Sequence, residues 1–172
     1  TATLIFKAID EKKLTLEESI NKYFPNVKNA DKITVGNLLN HRSGIFNLTN
    51  DPNYLKWNTA VKSRAELINM INASASNFAP DSKAEYSNSN YILLSIILEK
   101  IYKKTYSALL IEKIINPLQL KNTYYGTKIN LANNEVNSYA FTGVWLKQPE
   151  TDMSIPLGAG AIVSNPSDLN TF

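Results

Sequence analysis

The segment from Ile92 to Ile101 constrains the fold more than any other part of the sequence. Seven of its ten residues are aliphatic, which predicts the most apolar helix of the chain. Five polar residues, Tyr86-Ser87-Asn88-Ser89-Asn90, lie just before it. Polar residues at such a junction are commonly only a helix cap, but a cap needs one side chain. The segment is therefore either a cap with polar neighbours or a polar site at the start of this helix.

Capping signals predict several further helices. Thr15 with Glu18, and Ser63 with Glu66, have the spacing of a capping box, and Thr34 is a candidate N-cap. Together with apolar periodicity and proline breaks, these signals indicate a helix-rich chain. The predicted helices cover residues 1–13, 15–24, 34–39, 54–57, 63–71, 92–101 and 107–115, with another beginning at 166.

Strand signals are few and come late in the sequence. Tyr139–Leu146 alternates in a way that suits a strand, and Gly158–Val163 suits a tight bend into a short buried stretch. No internal repeat, linker or domain boundary is visible. We therefore predict a mainly α fold with a few short strands, in one domain over residues 1–172.

Composition excludes several classes of function. The chain has 172 residues, no cysteine and a single histidine, so neither a cysteine nucleophile nor a zinc site is predicted. The net charge of +3 comes from scattered lysines, which disfavours nucleic acid as a partner. No phosphate-binding glycine loop and no apolar run as long as a membrane span is present. We predict no cofactor and no metal.

Two residues of the polar segment could carry chemistry. A tyrosine such as Tyr86 can act as a general base where cations stabilise its phenolate. Asn88, two residues on, can point its amide to the same side of an extended segment. The sole histidine, His41, lies in a helix-ending turn before Gly44. A structural role there, with the imidazole bonded to backbone groups of the turn, is favoured over catalysis.

Four segments in order give the chain a family resemblance. It resembles serine β-lactamases of the class C type, D-alanyl-D-alanine carboxypeptidases, penicillin-binding proteins and related esterases. The resemblance spans essentially the whole chain, and its strength comes from the order and spacing of the segments. They are Gly36–Ile45 (GNLLNHRSGI), Pro80–Asn88, Pro117–Thr123 (PLQLKNT) and Gly158–Ser164 (GAGAIVS) with Asp168-Leu169.

The resemblance implies a catalytic role for Tyr86 and Asn88. In the family, a Ser-x-x-Lys motif supplies the nucleophile and a lysine, a Tyr-x-Asn motif supplies a proton-transfer tyrosine, and a Lys/His-x-Gly motif completes the oxyanion hole. Only Tyr86-Ser87-Asn88 matches one of these. Ser19-Ile20-Asn21-Lys22 has the letters of the first motif but precedes the wrong segment. By the same resemblance Asn47, Thr49 and Gly160 could line the substrate cleft.

The same comparison implies that the chain is an internal, truncated part of a β-lactamase-like domain. It would be the helical subdomain of the mixed α/β β-lactamase/transpeptidase-like fold, lacking most of the main sheet and, without the nucleophile, inactive alone. Leu4, Ile5, Phe6 and Val163 would then be exposed apolar residues, able to support a homo-oligomer. The whole protein would be extracytoplasmic and act on β-lactams, peptidoglycan peptides or esters. The alternative is a catalytically dead binding or interaction module on the same fold.

Overall fold

Helices are the main regular elements of the computed structural model, which describes residues 1–172. Both the Ser63–Glu66 capping box and the Thr34 N-cap are present; Thr34 forms its box with Asn37. Gly44 adopts a left-handed conformation with φ +75°. The helices are α1 (Ala2–Asp10), α2 (Val35–Leu39), α3 (Tyr54–Trp57), α4 (Arg64–Ala73), α5 (Asn88–Tyr102), α6 (Tyr106–Leu110), α7 (Asn116–Leu118) and α8 (Pro166–Thr171).

Helix α5 is the centre of the molecule. It is apolar on most of its circumference, so it is stable only when other elements surround it. Helices α1, α2, α4 and α6 and the turn Leu157–Ala159 all contact it. Every residue from Ile92 to Leu98 is buried, and all of them except Ser95 belong to a hydrophobic core cluster of 28 residues. The sequence prediction of an exceptionally apolar helix here is confirmed.

The prediction of a helix starting at Thr15 is wrong. Only a 3-10 turn, Ile20–Lys22, forms in this region. The backbone here bonds to a distant segment: Ile20 N–H donates to the carbonyl of Ile33, and Gly36 N–H donates to that of Leu16. Tertiary pairing thus replaces the bonds that a helix would use. Ser19, in the Ser-x-x-Lys look-alike, donates to the carbonyl of Ala30.

Two later predictions were also imprecise. The helix predicted to end before Pro117 continues past it, through a π turn at Ile111–Ile115 into α7. Pro117 is the second residue of α7, which begins directly after the π turn. The single strand predicted over 139–146 is a hairpin, because Gly143 takes φ +92° and reverses the chain.

Two small antiparallel sheets complete the fold. Strand β1 (Tyr124–Tyr125) pairs with β4 (Ile162–Val163). The short stretch predicted after the glycine-rich bend therefore forms, but it is not buried, since Ile162 is 40% exposed. Strands β2 (Tyr139–Phe141) and β3 (Trp145–Lys147) form the hairpin, with Phe141 opposite Trp145. No helix has the length and hydropathy that crossing a membrane requires.

The expected exposure of four apolar residues is only partly correct. Leu4 and Ile5 are fully buried, because α1 packs them against the core around α5. Phe6 is 49% exposed, and Val163 is half-buried in the β1–β4 pair.

Candidate active site

Tyr86 lies at the N-terminal end of α5, two residues before its first residue. The side chain is 63% exposed. Its hydroxyl donates a hydrogen bond to Oδ1 of Asn88 at 3.0 Å. The phenol is thus outside the hydrophobic core, and its orientation is tied to the amide two residues on.

Asn88 is held by a loop that is forty residues away in sequence. Its Nδ2 donates to Oγ1 of Thr49 at 3.1 Å and, at 3.3 Å, to Oδ1 of Asn47. Oδ1 of Asn47 also accepts from the backbone N–H of Asn88. Three residues predicted separately as catalytic or cleft-lining therefore meet at one point.

The cap of α5 comes from tertiary structure. Ser87 occupies the N-cap position but makes no capping bond, and its buried hydroxyl has no partner. The carbonyl oxygen of the Asn47 side chain accepts from the first N–H of the helix in its place. Ser89 fixes the same loop, donating to the carbonyl of Phe46 and accepting from the N–H of Leu48. The polar residues before α5 are therefore more than a cap.

His41 contacts the tyrosine segment on both sides of Tyr86. Its carbonyl accepts from Glu85 N–H at 2.9 Å, and its Nδ1 accepts from Ser87 N–H at 3.2 Å. The imidazole lies 4.6 Å from the Tyr86 ring and 5.2 Å from that of Tyr91. Burial lowers the pKa of the His41 imidazole.

A buried polar pair links His41 to the interior. Asn90 is fully buried; its Nδ2 lies 3.2 Å from Nδ1 of His41, and its Oδ1 accepts from Ser43 at 2.6 Å. Ser43 Oγ in turn accepts from the N–H of Ile45. Sequence reasoning gave His41 a structural role within its own turn, but its side chain bonds to the α5 segment. The surplus of polar residues before an apolar helix was the available signal for this network.

Lys83, three residues before Tyr86, and Arg42, next to His41, are both engaged in ion pairs. Lys83 pairs with Glu85, and Arg42 pairs with Asp81. The phenol hydroxyl bonds only to Asn88. The structure thus orients the phenol of Tyr86 and the amide of Asn88 at an accessible surface. A reacting group that is not part of this pair could contact both side chains there.

Gly160 lies apart from these contacts. It follows the turn Leu157–Ala159, and no hydrogen bond connects it to Tyr86 or Asn88.

Two cavities lie away from the tyrosine–asparagine pair, and neither is lined by Tyr86 or Asn88. A polar groove of about 890 Å³ runs between Arg64 and the segment 147–154. An apolar cavity of about 340 Å³ lies between α1 and α8. No group of three His, Asp or Glu side chains could hold a metal ion.

The chain as a whole belongs to a known class of protein. The sequence matches the Beta-lactamase family over residues 1–172, and the chain belongs to that family. The fold is of the β-lactamase/transpeptidase type.

Three proteins of known function or structure are similar to this chain over almost its whole length. A teichoic acid D-alanine hydrolase of Staphylococcus aureus is 25% identical over 98% of this chain and 41% of its own length. A D-stereospecific amidohydrolase from Streptomyces sp. superposes with a TM-score of 0.88 at 28% identity, covering 99% of this chain and 56% of that one. A D-amino acid amidase from Ochrobactrum anthropi SV3 gives a TM-score of 0.85 at 27% identity, covering 99% and 50%. The chain thus spans about half the length of these relatives.

Proposed function

We propose that this chain is the helical part of a serine hydrolase that cleaves an amide or ester through an acyl-enzyme, with Tyr86 as the proton-transfer residue. The observation that carries the proposal is the accessible phenol of Tyr86, bonded to an Asn88 amide that Thr49 and Asn47 hold in place. A proton carrier must reach the reacting atoms and keep a fixed orientation. This pair satisfies both conditions.

In the proposed mechanism, the nucleophilic serine and its lysine come from a Ser-x-x-Lys motif outside this chain. The lysine ammonium also supplies the cation that the phenolate of Tyr86 needs. As the serine Oγ attacks the substrate carbonyl carbon, Tyr86 accepts the hydroxyl proton. It passes that proton to the leaving nitrogen or oxygen when the bond to carbon breaks, which leaves the acyl-enzyme. Water then repeats the sequence and releases the acid.

Asn88 orients both reaction partners in this proposal. Its amide hydrogen-bonds the substrate and the motif lysine, while Asn47 and Thr49 fix its side chain from behind. The oxyanion hole and the Lys/His-x-Gly strand, with most of the main sheet, would be supplied by the remaining half of the domain. Gly160 would line the opposite side of the cleft.

The substrate class we propose is a D-configured aminoacyl amide or ester. The names of three relatives support it: a D-alanine hydrolase, a D-stereospecific amidohydrolase and a D-amino acid amidase. Such substrates belong to bacterial cell-wall chemistry, so we propose an extracytoplasmic location. We also propose that apolar residues exposed in this chain alone, such as Phe6, could support a homo-oligomer.

The decisive experiment compares tyrosine variants in the full-length protein. Tyr86→Phe should lower the rate of hydrolysis of a D-alanine anilide by roughly 100-fold or more, because the proton carrier is lost. Tyr139→Phe, an exposed tyrosine in the hairpin, is the matched control and should have no effect. Equal activity of wild type and Tyr86→Phe would refute the proposal.

A second experiment addresses the chain of 172 residues alone. We expect no covalent labelling by a fluorescent penicillin, because the proposed mechanism places the nucleophile outside these 172 residues. Labelling would overturn the placement of the nucleophile. The rival function, a binding module without catalysis, predicts that the residues preceding Thr1 in the gene contain no Ser-x-x-Lys.

A further inference from the structure

One residue, His41, fixes Tyr86 from three directions. Its carbonyl holds the amide before Tyr86, its Nδ1 holds the amide after it, and its ring packs on the phenol ring at 4.6 Å. His41 itself adopts a left-handed backbone conformation with φ +59° at the end of α2. Among non-glycine residues this conformation is uncommon, and histidine, like asparagine and aspartate, is enriched in it. The carbonyl and the ring of His41 both contact the segment 85–90.

The hydrogen bonds define the protonation state of the ring. A backbone N–H can only donate, so Nδ1 of His41 has to be an unprotonated acceptor toward Ser87. Asn90 fits the same assignment, because its Oδ1 is occupied by the Ser43 hydroxyl and its Nδ2 therefore faces Nδ1. The imidazole is consequently neutral, with its proton on Nε2.

We propose that His41 is the positioning residue of Tyr86 and that it works only as the neutral Nε2–H tautomer. This inference rests on the proposed function of Tyr86 for its catalytic consequence. A proton on Nδ1 would face two N–H donors, so both hydrogen bonds to the segment would be lost. The segment would then keep only the Glu85 bond to the His41 carbonyl and the Asn88 bonds to Asn47 and Thr49, so the backbone directly after Tyr86 would be less firmly held and the phenol would be less well oriented.

The surroundings of the ring favour this reading. The titratable side chains in ring contact with it are Tyr86 and Tyr91, and Tyr91 donates to the carbonyl of Leu39. Glu85 hydrogen-bonds to His41 through its backbone N–H, while its carboxylate accepts from Asn77 and pairs with Lys83. Arg42, the next residue, pairs with Asp81. No carboxylate hydrogen-bonds to the imidazole to stabilise a protonated ring, and burial lowers its pKa.

The structural arm of the test uses NMR and needs no activity. His41 is the only histidine of this chain, and its ring resonances are identified by their loss in His41→Asn. We expect the nitrogen shifts of an Nε2–H tautomer at pH 7.5. We also expect the Ser87 amide shift to move with the same midpoint as the ring when pH is lowered. An Nδ1–H tautomer, or a Ser87 amide that ignores the ring, would overturn the inference.

The catalytic arm uses the full-length enzyme and two variants. Asparagine tolerates a positive φ and offers an oxygen acceptor for the Ser87 amide, but it does not titrate. His41→Asn should keep most of the kcat. In the plot of kcat against pH, it should also abolish the part of the loss at acid pH that protonation of His41 causes. His41→Leu should lower kcat by about 100-fold, with KM little changed, because the phenol is misplaced.

The two arms separate failure of the inference from failure of the proposed function. A merely structural histidine would leave the acid limb identical in wild type and His41→Asn, which refutes the positioning role. If the full-length protein has no hydrolase activity while the NMR arm holds, the proposed function fails. The acid-sensitive attachment of the tyrosine segment then stands without a catalytic role.

Discussion

The start of α5 and the β2–β3 hairpin are stabilised by different kinds of interaction. At the start of α5, polar side chains from two segments about forty residues apart satisfy one another, and Ser43, Asn90 and Ser89 are all buried. The hairpin is held mainly by its own strand pairing, and Phe141 and Trp145 stay more than 60% exposed. Long-range polar bonds thus fix the candidate site, whereas the hairpin depends on local turn chemistry.

The largest expected contrast between these regions is in packing. Leu93→Ala in α5 should lower the free energy of unfolding by about 3–4 kcal/mol, because it removes a fully buried side chain and leaves a cavity. Leu146→Ala in the hairpin is the matched change at a half-exposed leucine and should cost less than about 1 kcal/mol. Urea denaturation of both variants measures the difference. Equal losses would show that the hairpin packs on the core.

Two glycines in left-handed turns give the next contrast. Gly44→Ala should cost about 3 kcal/mol, since a Cβ there would lie 2.1 Å from the carbonyl oxygen of Phe78 in addition to the strained φ. Gly143→Ala in the hairpin meets no atom within 4 Å and should cost only the backbone term, about 1 kcal/mol. Thermal unfolding of the pair tests this. A larger loss for Gly143→Ala would reverse the interpretation.

The buried amide of Asn90 should matter nearly as much. Asn90→Ala leaves the Ser43 hydroxyl and Nδ1 of His41 short of a partner, which should cost about 2 kcal/mol. Asn26→Ala, at an exposed asparagine, is the control and should lie within about 0.5 kcal/mol of wild type. Denaturation curves for the two variants decide the matter. If Asn90→Ala is neutral, the network does not stabilise the site.

The smallest expected effect depends on pH. Burial lowers the pKa of His41, so the unfolded chain binds its proton more readily than the folded chain does. The contribution of His41 to stability is therefore fully present above the ordinary histidine pKa, near 6.5. It is lost as pH falls from there through the lowered pKa of the folded state. His41→Asn should remove this dependence; an unchanged pH profile of stability would contradict it.

Local signals in the sequence predicted a large part of the fold. The Ser63–Glu66 box, the N-cap at Thr34 and the apolar run of α5 are local features, and each appears in the structure. The Thr15–Glu18 spacing had the same form but failed, because the backbone there bonds to residues 33–36. Local propensity is only a weak prior when a distant segment offers the same hydrogen bonds.

Some residues of the candidate site were likewise predicted from the sequence, and others were not. Motif order pointed to Tyr86 and Asn88, and the resemblance added Asn47 and Thr49, which the structure places against Asn88. The contact of His41 with the tyrosine segment had no signal in spacing, since the two are more than forty residues apart. Gly160, chosen by the same resemblance, makes no hydrogen bond to this pair.

The sequence by itself determined which residues are apolar, which can cap a helix and which short motif stands before α5, because each of these depends on neighbours in the chain. Tertiary structure alone decided that Asn47 caps α5 in place of Ser87, and that His41 holds the segment around Tyr86. The physical reason is that most buried polar groups are hydrogen-bonded, and which partner each one meets depends on proximity in space once the core has packed.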